Sequence, residues 1–439
     1  MLSRRKALVW ILTGILVVMM SGCGGQSENK EQLSWTTETE NGQQDIDTEI
    51  AQDNETWTAF GEDTSEAEEK EVILTQDAVL AAENTDSAAD KEGEQEITLV
   101  MVGDILLHTP VAKSGLREDG TYNFDVVFEN VKEKIESADL ALVNEEVIIG
   151  GSELGVTGYP AFNAPYELGD ALADAGFDVV LHATNHALDK GSRGLENCLH
   201  FWEEKYPEIA VLGINGSEEA QEKIFVYEQE GIRIAILNYT YGTNGIPMPE
   251  TMPYGVNLLE KEKVIQDLQR AEETADFVIV CPHWGTEYQL EPSKEQEKWV
   301  KLFADNGADL VIGTHPHVIE PVEWYEEADR EMLVYYSLGN FVNWTSGTGA
   351  GTANRMLGSM AEVTIGPDEE GEVVIKEYDA EPLVCHVEEG TDGVTVYFLQ
   401  DYTEELAEGN EIRKQDETFS LDYCRKLWEE VMEETAIHK

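Results

Sequence analysis

The chain has 439 residues, room for two or three domains of ordinary size, and is strongly acidic, with 89 Asp and Glu against 29 Lys and Arg and a formal charge of −60. That balance repels DNA, RNA and anionic lipid, which argues against a nucleic-acid partner and favours cations. Beyond Cys23, the cysteines Cys198, Cys281, Cys385 and Cys424 are widely spaced without a CxxC pair, so neither a disulfide framework nor a zinc knuckle is expected.

The N-terminus carries an address. Arg4, Arg5 and Lys6 precede an apolar run from Ala7 to Met20, shorter than the roughly 20 residues of a membrane span. Met20-Ser21-Gly22-Cys23 follows and resembles the lipobox of bacterial lipoproteins, with Cys23 as the lipid-bearing residue and residues 1–23 as the signal peptide. A plain signal peptide or an uncleaved anchor is the alternative; each places the protein outside the cytoplasm, and the lipobox attaches it to the cell membrane. Residues 24–95 are rich in Glu, Asp, Thr, Gln, Ser and Asn, with Lys30, Lys70 and Lys91 as the bases. Such a segment buries too little apolar area to offset the entropy of ordering it, so a disordered acidic linker is expected.

Folded structure is expected from Ile97-Thr98-Leu99-Val100-Met101-Val102, a buried strand ending at Gly103-Asp104. Helical spacing of Val127, Phe128, Val131 and Ile135 predicts one helix over 124–137, and a strand over 139–143 ends at Asn144-Glu145-Glu146. A helix over 165–175 precedes a strand over 178–181 that ends at His182-Ala183-Thr184-Asn185-His186. After a helix over 194–205 and a strand over 209–213, segments 223–227 and 232–239 read as a hairpin. A charged helix over 257–274 leads to the strand 277–281 and His283-Trp284-Gly285; Ser293 caps the next helix, which runs to Phe303. The apolar run Asp309-Leu310-Val311-Ile312 then ends at Gly313-Thr314-His315-Pro316-His317. A strand over 332–341, a hairpin from 361–365 and 373–376, a strand over 394–399 and a helix over 418–434 follow. The alternation implies an α/β fold over 96–345, with C-terminal strands and a helix in 346–439 completing the domain.

One pattern recurs at the strand ends: an apolar run, a small residue, then side chains that bind metals. The groups are Asp104, Asn144 with Glu146, Asn185 with His186, His283, and His315 with His317. Open α/β sheets gather ligands at the carboxyl ends of strands, so these distant residues can share one pocket. In an extended backbone His315 and His317 would point to the same side, with Pro316 restricting the backbone between them. Oxygen and nitrogen donors without thiolate suit Mn, Fe, Zn or Mg, and the number of donors exceeds the need of one ion. It suits two divalent ions about 3.5–4 Å apart. Each residue also has a plainer reading: Asp104 as a turn cap, Glu146 as a solvated carboxylate, Asn185 and His186 as a helix start, His283 as a packed ring beside Trp284, and the last pair as loop histidines.

Taken together, Val102-Gly103-Asp104, Val143-Asn144-Glu145-Glu146, Ala183 through Asp189 with Gly191, His283-Trp284-Gly285 with Glu287 and Gln296, Gly307 through His317, and Ser337 through Phe341 resemble the CapA, or poly-γ-glutamate capsule synthesis, family. The resemblance implies a layered α/β/β/α sandwich like that of calcineurin-like metallophosphoesterases. It implies Asp104, Glu146, Asn185, His283, His315 and His317 as metal ligands, supported by Asn144, Glu287 and Asn340, and His186 as the uncoordinated catalytic imidazole. Thr184 and Thr314 stand where the family often has Asn and His, and Leu106 where ordinary metallophosphoesterases have His; His108 reaches the site only if the turn after Asp104 bends back. The expected role is synthesis or export of an anionic polymer such as poly-γ-glutamate, with the polymer or its membrane machinery as partner. A metal-dependent phosphoesterase or amidase and a non-catalytic metal-stabilised scaffold are the alternatives.

Overall fold

Runs of consecutive apolar residues, rather than alternating ones, make strands covered on both faces. The computed structural model describes residues 95–327, 330–345 and 347–432, all within the unit Thr75–Lys439. The signal peptide with Cys23, the acidic linker apart from Gln95, and the end of the last helix lie outside the described residues. The first part of the chain forms β1 (Ile97–Ile105), β2 (Leu140–Glu145), β3 (Val179–Leu181), β4 (Ala210–Leu212), β5 (Phe225–Gln229), β6 (Ile232–Thr240), β7 (Phe277–His283) and β8 (Leu310–Ile312). After the paired imidazoles come β9 (Ile319–Glu327), β10 (Arg330–Leu338), β11 (Asn340–Val342), β12 (Leu357–Pro367), β13 (Val373–Val387) and β14 (Val394–Phe398).

The first sheet runs β14-β13-β12-β1-β2-β3-β4, with β11 parallel to the end of β1; the second runs β5-β6-β7-β8-β10-β9. Neighbours from β1 to β4, and β6 to β7 to β8 to β10, are parallel. Alternation along each strand sorts the side chains into layers. Leu99, Met101, Leu142 and Leu181 of the first sheet meet Ile234, Ile279, Ile312 and Tyr335 of the second in a core between the sheets. Val100, Val102, Val143 and Val180 face outward onto Phe128, Ile135, Leu172 and Leu195. On the opposite outer face, Leu237, Val280, Val311 and Val334 pack against Val264, Leu268, Val300 and Phe303. The result is an α/β/β/α sandwich in which each fully buried Leu, Ile or Val contributes about 1.5–3 kcal/mol.

Three of the differences from the sequence-based expectation bear on how the sheets meet. The single helix over 124–137 is two short ones, Asp125–Phe128 and Lys132–Glu136, because Asn130 in the turn between them donates its side-chain amide to the carbonyl of Val396 on β14 at 3.1 Å. The edge strand β9 has no counterpart in that expectation; Pro321 and the glutamates Glu320, Glu323, Glu326 and Glu327 disguise it, as suits a strand with one unpaired edge. The strand expected over 332–341 is cut at Gly339, whose φ is +63°; β10 belongs to the second sheet and β11 to the first. The C-terminal strands β12, β13 and β14 extend the first sheet, and helix Leu421–Met432 buries Leu421, Leu427 and Val431 in its outer core.

That crossing between sheets is tight. The amide of Asp104 donates to the carbonyl of Gly339 at 3.0 Å, and a Cβ on Gly103 would lie 2.0 Å from the same oxygen. Gly103→Ala must therefore push the two sheets apart, with an expected loss of about 1–3 kcal/mol in urea denaturation.

Candidate metal centre

Every parallel strand near the middle of the two sheets delivers a polar side chain at its carboxyl end. β1 carries Asp104, β2 ends at Asn144-Glu145 just before Glu146, the turn after β3 carries Asn185 and His186, and β7 ends on His283. The loop after β8 carries His315 and His317, and β11 opens on Asn340. Asp104, Glu146 and His283 are fully buried, and Asn185, His186, His315 and His317 are at most 7% exposed. The structure thus brings all the expected ligands and His186 into one pocket.

Glu146 is the common member. Ligand atoms of Glu146, His315 and His317 lie within 4.8 Å of one another, and so do those of Asp104, Glu146 and His283. Pairing of β1 with β2 sets Asp104 opposite Asn144, whose Nδ2 donates to Asp104 Oδ1 at 2.9 Å. The other Asp104 oxygen accepts from the His315 amide at 3.2 Å and lies 3.2 Å from His317 Nδ1. His317 Nδ1 is also 3.2 Å from Asn340 Oδ1, while Asn340 Nδ2 donates to the His317 carbonyl at 2.9 Å. His283 turns Nδ1 to Thr314 Oγ1 at 3.0 Å and Nε2 toward Asn185 Oδ1 at 2.9 Å and Glu146 Oε1 at 3.7 Å. Partners of this kind fix the orientation of a ligating imidazole.

His186 is held differently. Its Nδ1 pairs with Asp189 Oδ2 at 2.7 Å, its ring meets Phe162 edge-on at 4.7 Å, and Nε2 stands 4.0 Å from Glu146 Oε1. With Nδ1–H donated to a carboxylate, Nε2 is the nitrogen left to exchange a proton inside the pocket. Asp189 also accepts from the Phe162 amide at 2.7 Å, which locks the arrangement.

The convergence of His315 and His317 does not come from extended backbone. Both have positive φ, 102° and 60°, and their rings stand 5.6 Å apart. Non-glycine residues in that region carry strain, stabilised here by the bonds to Asp104 and Asn340. Glu287 is exposed at the rim and acts on Glu146 through its charge. His108 lies outside both three-residue groups; burial first, then the charges of His317, His186 and Arg355, hold its pKa down to about 4.

Several residues of the pocket receive no role from the sequence. Asp189 lies within the motif that begins at Ala183, and Thr314 departs from the family pattern. Asn244 accepts from Asn185 Nδ2 at 3.3 Å and places its own Nδ2 3.5 Å from His186 Nδ1; the Tyr241 ring lies tilted against that of His315, with centroids 4.6 Å apart. Both lie in the irregular segment after β6, where no periodicity marks a residue.

The electrostatics show what the pocket is built for. Both Glu146 oxygens and His315 Nδ1 are buried without a hydrogen-bond partner. Burial pushes the Glu146 carboxyl well above the usual range, and Asp104, Glu287, Glu145 and Asp189 push it further. Burial, then the neighbouring imidazoles, holds His283 and His315 well below the usual histidine value. Neutral imidazoles facing orphaned carboxylate oxygens suit a divalent cation, which would supply the missing counter-charge. The oxygen and nitrogen donors fit such an ion. Chelation by EDTA is expected to lower the melting temperature, since an ion held at 100 times its Kd adds about 2.7 kcal/mol, and readdition of Mn²⁺ should restore it.

The family model for "Bacterial capsule synthesis protein PGA_cap" matches residues 98–345, which contain every residue of this pocket. Among curated relatives, the PGA biosynthesis protein CapA of Bacillus subtilis (strain 168) is 35% identical over 178 residues, 40% of this chain and 45% of the relative. The capsule biosynthesis protein CapA of Bacillus anthracis is 28% identical over 266 residues, 57% of this chain and 61% of the relative. The matches thus span about half to three fifths of these relatives. Among solved structures, a putative 5'-nucleotidase from Staphylococcus aureus superposes with a TM-score of 0.41 at 16% identity, over 65% of this chain and 54% of the other. The NAD nucleotidase of Haemophilus influenzae gives 0.42 at 13% identity, over 66% and 58%. Superpositions this partial carry no functional weight. The match over 98–345 covers more than half of the sequence, and on it the chain belongs to the family of bacterial capsule synthesis proteins.

Proposed function

We propose that this protein is a lipid-anchored, extracytoplasmic member of a capsular-polymer pathway, in which a two-ion site hydrolyses an ester or amide bond of an anionic polymer such as poly-γ-glutamate or of its precursor. The observation that carries the reading is Glu146, shared by two ligand groups, with the His186–Asp189 pair 4.0 Å away. Asp104, Glu146, Asn185, His283, His315 and His317 would hold the ions, which when bound polarise a substrate oxygen and make a water acidic enough to attack near neutral pH. His186, with Asp189 fixing its tautomer, donates a proton from Nε2 to the leaving group. Lipid attachment rests on the basic residues, apolar run and Ser21-Gly22-Cys23 of the N-terminus. A chain of charge −60 repels a polyanion, and bound divalent ions would offset that repulsion by bridging the two sets of carboxylates. Polymer binding that survives chelation would rule that bridge out.

The near-complete burial of the ligand set favours a second reading, a scaffold in which the ions only hold the loops in place. Two measurements separate them. Elemental analysis should find two ions per chain, close to none in Glu146→Ala, and about one in His283→Ala, because Glu146 belongs to both groups and His283 to one. Mn²⁺-loaded full-length protein should cleave chromogenic phosphodiesters or polyglutamate, and His186→Ala should lower kcat by about 10²- to 10⁴-fold with metal content retained. No turnover on any substrate, with the ions bound, leaves the scaffold.

A further inference from the structure

In a chain this acidic, buried or half-buried cations are expected to be matched by carboxylates, and several are. Arg233 pairs with Asp276, Arg270 with Asp267 and Glu222, and Arg330 with Glu272. Arg355 is different. It sits in the turn Thr352–Met356 before β12, and among the described residues it forms no ion pair. Its Nη1 donates to Thr345 Oγ1 at 2.7 Å, its Cζ lies 3.5 Å from the centre of the Tyr288 ring, and its Nε is buried without a partner. Nε is one corner of the Nε–Nη2 edge, the fork that grips two oxygens, and it has no acceptor.

This guanidinium belongs to the rim of the metal centre. Tyr288, on which it lies, places its ring 6.0 Å from that of His317, and the Tyr288 amide is anchored to the carbonyl of Pro316 between the paired histidines at 2.7 Å. The Arg355 carbonyl accepts from Asn340 Nδ2 at 2.9 Å, the same amide that holds the His317 carbonyl. An orphaned guanidinium fork is stabilised by an oxyanion, and among the described residues no carboxylate provides one.

We propose that Arg355 binds an anionic oxygen group of the substrate, a carboxylate or a phosphate, beside the bond that the metal centre cleaves. The assignment rests on the hydrolase reading above for the reaction, though not for binding. It makes Arg355 the selectivity residue: the ions act on the reacting bond, and the guanidinium selects substrates that carry a second negative charge at a fixed distance from it. Stacking on Tyr288 and the bond to Thr345 hold the fork in place, which lowers the entropy lost when the anion binds.

The test uses Mn²⁺-loaded full-length protein and two aryl phosphodiesters identical except for a carboxylate on the group that does not leave. Arg355→Gln should lower the ratio of kcat/KM for the carboxylated ester over the uncharged one by about 10- to 100-fold, mainly through KM, and Arg355→Lys should recover part of it. An unchanged ratio overturns the assignment. So does loss of bound metal in Arg355→Gln, which would make the residue a prop for Asn340. If the glutamine variant fails to fold, Arg355→Lys carries the test, since a point charge must still discriminate less well than the fork. If the unaltered protein cleaves neither ester, the hydrolase reading fails, and calorimetry with a γ-linked glutamate oligomer and a glycerol phosphate oligomer decides Arg355. Binding at least about 10-fold weaker in Arg355→Gln supports it, and the oligomer affected says whether carboxylate or phosphate is the ligand; equal binding of both overturns it.

Discussion

The structure depends on a concentration of uncompensated charge around Glu146. Its two carboxylate oxygens are buried without partners, Asp104 lies alongside, and Glu145 behind it also has both oxygens buried and unpaired. A carboxylate taken out of water costs far more than a domain can spare unless a cation or a proton accompanies it. Burial pushes the Glu145 carboxyl well above the usual carboxylate range. Glu146 faces imidazoles held neutral by the same burial, and a metal ion meets both needs at once. The pocket is therefore suited to a cation by energetics as well as by composition.

Its geometry follows from the way the sheets are joined. β10 ends in the second sheet, Gly339 turns the chain, and β11 enters the first sheet beside β1, with Asp104 opposite Asn340. Gly103 lets the two backbones approach until the Asp104 amide meets the Gly339 carbonyl. Asp104 from one sheet thereby reaches His317 and the His315 amide from the other. The strained φ values of those histidines belong to the same device, because the backbone must turn sharply to aim two imidazoles, one residue apart, at a carboxylate on a neighbouring layer.

Around this centre the chain arranges aromatic and cationic groups of a different character. Phe162 and Asp189 hold His186; Tyr241 covers His315; Tyr288 stands between His317 and Arg355 in the sequence of contacts. Against the chain's overall charge of −60, Arg355 places a guanidinium on the face of the Tyr288 ring.

The sequence by itself determined the strand ends. Val100-Met101-Val102 before Gly103-Asp104, Val278-Ile279-Val280-Cys281 before His283, and Leu310-Val311-Ile312 before the histidine pair are legible because uninterrupted apolar runs mean buried parallel strands, and such strands offer their carboxyl ends to a site. The convergence of the candidate ligands at one end of the sheets was legible for the same reason. What only the tertiary structure decided is how neighbouring layers meet. The break at Gly339, the disguised edge strand β9, the bend that aims His315 and His317, and the partners Asp189, Thr314, Asn244 and Arg355 all depend on contacts between residues far apart in the chain. Local periodicity records which face of an element is buried; it carries no information on which distant side chain will complete a hydrogen bond, so those groups emerge only when the sheets are packed.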